Sequence, residues 1–167
     1  MLLLALACTL PRAPRQPIAA PAAVEPWADL STPGPITHTA TISAYAEAKV
    51  SGLVNLDNPD AAALSDDTVQ VGLIVHALHH PTHGTVYIDT GVPEKLAARG
   101  IARLAAKQIE TVTPLGAITA EHGTPAGVIL THTHPDHIFG LPDVPVGTTI
   151  YVGQGEWEPR GQGRGCL

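Results

Sequence analysis

Four residues able to ligate a metal ion, His132, His134, Asp136 and His137, fall within a six-residue stretch of this chain. Imidazole nitrogen and carboxylate oxygen are both good zinc donors, and a catalytic zinc keeps one position open for water. In an extended segment alternate side chains point the same way, so His132 and His134 can reach one side together. The adjacent Asp136 and His137 face another direction once the loop turns into a helix. The spacing therefore favours two ions over one. A chance cluster of surface histidines is the rival explanation, and the apolar strand expected just before the motif argues against it.

Such a loop needs a rigid support. Gly127-Val128-Ile129-Leu130 is a short, continuously apolar run, as expected of a buried strand that delivers the chain into the histidines. Val69, Val71, Leu73, Val75 and Ala77 share one face of a longer strand from Val69 to Leu78. A turn at His79-His80-Pro81-Thr82-His83-Gly84 precedes the returning strand Thr85-Val86-Tyr87-Ile88, which ends in Asp89-Thr90-Gly91. Regular structure is expected to begin near Ile36, where Thr37, Thr39 and Thr41 alternate with His38, Ala40 and Ile42, and a further strand is expected around Val50 to Val54. After Gly91, Pro93 and Glu94 suit a first helical turn, and Leu96, Ile101, Leu104, Ala105, Ile109 and Val112 have roughly helical spacing, with Gly100 as a break. Thr113-Pro114 opens another helix, carrying Leu115 and Ile118 inward and closed by Gly123. Thr148 to Val152 reads as the next strand. The order is that of an α+β domain.

The run His-x-His-x-Asp-His resembles the signature of the metallo-β-lactamase superfamily of metal-dependent hydrolases. The match is complete at His132, His134, Asp136 and His137, and Gly140-Leu141 follows, as it often does in that family. Val86 to Gly91 resembles the strand and turn that precede the metal loop in these enzymes, and the resemblance runs from about Ile36 to about Gly153. It implies a four-layer αββα sandwich (the metallo-β-lactamase fold), truncated here to roughly its first half. It also implies that His132 and His134 bind one zinc and that Asp136 and His137 bind a second, iron or manganese being alternative metals. Asp136 and Asp89 are the residues expected to serve catalysis, Asp89 from behind the ligands, where it would accept hydrogen bonds from the metal loop. A plain turn-forming role is the alternative for Asp89. The implied reaction is hydrolysis of a small-molecule ester, lactone, thioester or β-lactam, in which zinc lowers the pKa of its water toward about 7 and polarises the carbonyl. Loops around such a site choose among these substrates, so the motif does not.

A complete family member supplies a third histidine for the first ion, an aspartate bridging both, and a last histidine for the second. His137 is the final histidine here, and Asp143 lies too near the motif to bridge. Two protein ligands at the first site are one short of the three usual at a catalytic zinc. Pro159 to Leu167 is glycine- and arginine-rich, as a frameshift, a premature stop or a flexible tail would make it. The expectation is an incomplete domain whose 167-residue chain does not turn over substrate, a catalytically inactive metal-binding remnant being the alternative to an enzyme. His79, His80 and His83 are expected merely as polar residues of a hairpin tip, and His38, His76 and His122 as ordinary surface or hydrogen-bonded histidines, since nothing pairs them with other ligands.

The composition bounds these readings. With 167 residues, 44% hydrophobic and 14% charged, the chain suits one domain with a core. Fifteen acidic against nine basic residues give a net charge of −6 and argue against nucleic acid, which needs a basic stripe. Cys8 and Cys166 sit at opposite ends and indicate no disulfide framework. Met1 to Cys8 resembles the end of a lipoprotein signal, although no Lys or Arg precedes Arg12. The chain is thus either exported and tethered to a membrane through Cys8, or cytoplasmic with an apolar start. Seven prolines between Pro11 and Pro35 favour an extended linker over residues 9–35, ahead of the domain at 36–153 and a tail at 154–167.

Overall fold

A computed structural model describes residues 34–94, 109–153 and 156, and its larger compact unit spans Ile36–Glu158. The expected signal segment, the linker up to residue 33, both cysteines, residues 95–108 of the expected helical stretch and the tail apart from residue 156 lie outside the described residues. Among the described residues no helix is long and apolar enough to cross a membrane.

Among the described residues six strands form one sheet: β1 Thr37–Lys49, β2 Thr68–His80, β3 Gly84–Ile88, β4 Ile109–Thr111, β5 Pro125–Leu130 and β6 Ile150–Val152. Their order is β4-β1-β2-β3-β5-β6, antiparallel from β4 through β3 and parallel from β3 through β6. The tight connection from β2 to β3 relies on Gly84 at φ 82°, which a glycine adopts without strain. Helix α1, Leu115–His122, starts after extended Pro114 and stops at Gly123, whose φ of 99° ends it. Helix α2, Pro135–Ile138, is one turn that begins within the motif.

Alternation decides which face α1 covers. Val75 and Ala77 of β2, Tyr87 of β3, and Val128 and Leu130 of β5 pack with Leu115 and Ile118 into one buried cluster. Tyr87 donates from its phenol to the Gly123 carbonyl at 2.6 Å, and burial pushes its pKa up to about 12, so it stays a donor. The other face carries Ile42, Ile74, Ile129 and Tyr151, all 37–43% exposed. Along it the register lines up Ala40, His76, Ile88, Ile129 and Tyr151 across five strands.

The register of β1 against β2 shifts between Ile42 and Ala44, which leaves Ser43 fully buried. Its hydroxyl accepts from Val92 N–H at 2.9 Å, and its carbonyl accepts from Val112 and Thr113. Ser43→Ala should therefore strand the Val92 N–H in the core and cost about 1–3 kcal/mol. Urea unfolding that gives wild-type stability for this variant would show that the bond contributes nothing.

Three local expectations change. Val50 to Val54 is no strand: Val50–Gly52 is a 3-10 turn, because Val50 N–H donates to Asp67 and Leu53 and Val54 N–H both return to Val50. Ile109 belongs to β4, opposite Ala46, and not to a helix. The strand after the motif is shorter than expected, beginning at Ile150.

Candidate functional site

The three parallel strands deliver the site. Ile88 pairs with Ile129, and Leu130 with Val152, so β3, β5 and β6 end together at one edge of the sheet. Beyond β3 comes Asp89, beyond β5 the histidine motif, and beyond β6 Glu156. The carboxyl ends of parallel strands are where open α/β sheets place ligands.

Asp89 occupies a left-handed conformation at φ 60°, which is uncommon for any residue but glycine, and it is 6% exposed. Its N–H donates to the Ile129 carbonyl at 2.8 Å, which anchors the turn to β5. Its carboxylate accepts from Thr131 N–H at 2.9 Å, from the Thr131 hydroxyl at 2.9–3.0 Å, and from His137 Nδ1 at 2.8 Å. The next residues grip α2. Thr90 donates from both N–H and hydroxyl to the His137 carbonyl, and Gly140 N–H donates to the Gly91 carbonyl and the Thr90 hydroxyl.

The imidazoles of His132, His134 and His137 adjoin: the ring centroids lie 4.5 Å apart for His132 and His134, and 3.9 Å for His132 and His137. Hydrogen bonds bear on the tautomers of two of them, His132 and His137. A carboxylate only accepts, so His137 Nδ1 must carry the proton that it shares with Asp89. Thr131 gives its hydroxyl proton to Asp89, so its oxygen receives from His132 Nδ1, 3.1 Å away. In the neutral form of both rings Nε2 is then left with a lone pair, as a metal ligand requires.

His137 Nε2 lies 3.2 Å from Asp136 Oδ2. A bare nitrogen and a carboxylate oxygen that close repel, and a shared proton or a cation bound to both relieves this. Two metal bonds of ~2.1 Å span such a separation, so the donor chemistry fits an ion there. Among the described residues, however, no group of three or more His, Cys, Asp or Glu side chains is arranged to hold an ion.

The remaining histidines sit elsewhere. His38 Nε2 and His76 Nδ1 lie 2.9 Å apart across β1 and β2, so these two are hydrogen-bonded, one of the ordinary roles expected of them. The register places Ala40 opposite His76 and His38 opposite Leu78, which brings the rings together diagonally. The rings of His80 and His83 lie against each other at the hairpin tip, tilted by 39° with centroids 4.4 Å apart. His79 and His122 line a cavity of about 280 Å³ with Thr37, Thr39, Ala77 and Glu121, which shares no residue with the motif. Sequence reasoning missed Thr131, Thr133, Thr90 and Glu156. The signal for the first two is their alternation with His132 and His134.

No family model matches the sequence, and a search of curated proteins finds no match. Solved structures do match. A quorum-quenching N-acyl homoserine lactone lactonase superposes with a TM-score of 0.55 at 17% identity, over 72% of this chain and 47% of its own. A quorum-quenching N-acyl homoserine lactone hydrolase gives 0.53 at 19% identity, over 72% and 47%. A probable metal-dependent hydrolase from Staphylococcus aureus gives 0.50 at 14% identity, over 65% and 41%. The chain thus spans less than half the length of these proteins, and over that span it has the α+β fold of metallo-β-lactamase-type hydrolases.

Proposed function

We propose that this chain carries the first metal-binding loop of a metallo-β-lactamase-type hydrolase for a small-molecule ester, lactone, thioester or β-lactam, a lactone being favoured. The observation that carries the reading is the Asp89 network, which fixes Nδ1–H on His132 and His137 and leaves Nε2 as the donor on each. The lactone preference rests on what two structural neighbours are described as hydrolysing. His132 and His134 would hold one ion, and Asp136 and His137 a second. A bound divalent ion supplies Lewis acidity and activates water. The chain's part is to orient the rings: Asp89 holds His137, Thr131 relays the same carboxylate to His132, and Thr90 and Gly91 fix α2. Export with a tether at Cys8 belongs to the same proposal, and fractionation that finds the chain unprocessed in the cytoplasm would remove it.

One observation favours a second reading, metal binding without turnover: no three ligands among the described residues enclose an ion. Zinc titration in the presence of a competing chelator addresses both readings. Wild type should bind at least about 100-fold more tightly than His132→Ala/His134→Ala, a larger loss than removing an outer partner gives. Lactone hydrolysis above the free-zinc rate then favours the enzyme, and tight binding without it favours the second reading. Equal affinity of wild type and double variant would discard both.

A further inference from the structure

We propose that Glu156 is a second positioning carboxylate for the metal loop, acting on Thr133 as Asp89 acts on Thr131; this rests on the metal-binding reading above. Oε2 of Glu156 accepts from the Thr133 N–H at 3.0 Å and from the Thr133 hydroxyl at 2.9 Å. Asp89 makes the same pair of bonds to the N–H and hydroxyl of Thr131. The two threonines alternate with the two histidines, and because β3 and β6 flank β5, the two carboxylates hold the loop from its two sides, Asp89 at Thr131 and Glu156 at Thr133. His134, at φ −66° and ψ 150°, is extended immediately before α2.

The supply of this carboxylate is built into the sheet. β6 runs parallel to β5 with Val152 opposite Leu130, so the chain leaves β6 beside the point where it enters the motif. Glu156 N–H then donates to the Gly153 carbonyl at 3.0 Å, which keeps Glu156 near the end of β6. Hydrogen bonds to an ionised acceptor are roughly twice as strong as neutral ones, and two of them fix both the backbone and the χ1 of Thr133. His132 is thereby held between two pinned residues. A loop ordered before the ion arrives does not spend binding energy on ordering, so Glu156 should act on affinity through Thr133 and without touching the ion.

The test compares Glu156→Ala, Glu156→Gln, Thr133→Val and Thr133→Ser in the full chain, by NMR amide exchange without metal and by zinc competition. Glu156→Ala should speed exchange of the Thr133 amide by about 10-fold or more, as expected when a local hydrogen bond is opened. It should weaken zinc binding by about 10–100-fold, the range for outer partners of metal ligands. Glu156→Gln keeps an acceptor and Thr133→Ser keeps the hydroxyl, so both should recover most of the affinity. Glu156→Ala/Thr133→Val should be little weaker than Glu156→Ala alone, because both remove one interaction. Unchanged exchange in Glu156→Ala overturns the proposal, as does faster exchange with zinc affinity within about threefold of wild type. If wild type binds zinc no better than His132→Ala/His134→Ala, the metal-binding reading fails and this proposal with it; the exchange data then show that the clamp exists without serving an ion.

Discussion

Asp89→Asn should leave the sheet folded while reversing the tautomer of His137. Asparagine has the same shape and enters the left-handed region more readily than most residues, so the φ of 60° remains accessible. Its amide oxygen can still accept from the Thr131 N–H, the bond that fixes the start of the loop. The amide nitrogen then falls where Oδ2 accepts from His137 Nδ1 at 2.8 Å, and two N–H groups cannot face each other. His137 must move its proton to Nε2, the nitrogen that faces Asp136. Exchanging a charge-assisted bond for a neutral one should cost about 1–2 kcal/mol of stability. Zinc affinity should fall by about 10–100-fold, because a protonated Nε2 is no ligand.

Asp89→Ala separates this effect from simple loss of structure. Alanine strands the Thr131 N–H and is forced into a left-handed backbone, so about 3–4 kcal/mol should be lost, a large part of a domain's usual margin. Nitrogen-15 chemical shifts of the His137 ring in Asp89→Asn, together with urea unfolding of both variants, check the argument. A His137 ring that keeps Nδ1–H in Asp89→Asn, or equal stabilities for Asn and Ala, would mean that the carboxylate does not set the ring.

The parts of the site that were legible in the sequence are those fixed by local spacing. The His132 to His137 motif, the buried run ending at Leu130 and the Asp89-Thr90-Gly91 turn are contiguous signals, and the two-residue period of β2 named Leu73, Val75 and Ala77 as its buried face. What was not legible depends on register. Val50 has a β-branched side chain suited to a strand, but its N–H is claimed by Asp67 from the start of β2, and the chain turns there. Ile109 fits a helical period, yet it closes the sheet edge beside Ala46, so tertiary pairing overrides local preference. His38 and His76 meet only because β1 and β2 pair in one register among several that the alternating pattern allows. Glu156 falls in the stretch read as a tail; its bond to Thr133 requires β6 to lie parallel to β5, which no spacing along the chain specifies.

Gly140→Ala tests whether the motif is held against the Asp89 turn by close backbone contact. Gly140 has φ −78°, which any residue adopts, so an effect there is one of space and not of backbone strain. A methyl group built on it would overlap the Thr90 carbonyl oxygen and lie 3.0 Å from its carbon. That carbonyl belongs to backbone gripped by the Gly140 N–H and by the bonds of Thr90 to His137, so it cannot swing aside as a side-chain end would. The loop bearing His137 must move away from Asp89, which should cost about 3 kcal/mol or more, at the upper end for overpacking. Zinc affinity should drop with it, because His137 loses its orienting carboxylate. Gly116→Ala is the matched control: it lies within α1 with nothing within 4 Å of the added methyl, so it should stabilise the chain by about 0.5–1 kcal/mol. The two variants differ by the same single methyl group, and urea midpoints that shift in opposite directions are the expected result. A Gly140→Ala protein as stable as Gly116→Ala would show that the motif and the turn do not approach as closely as the hydrogen bonds between Thr90, His137 and Gly140 require.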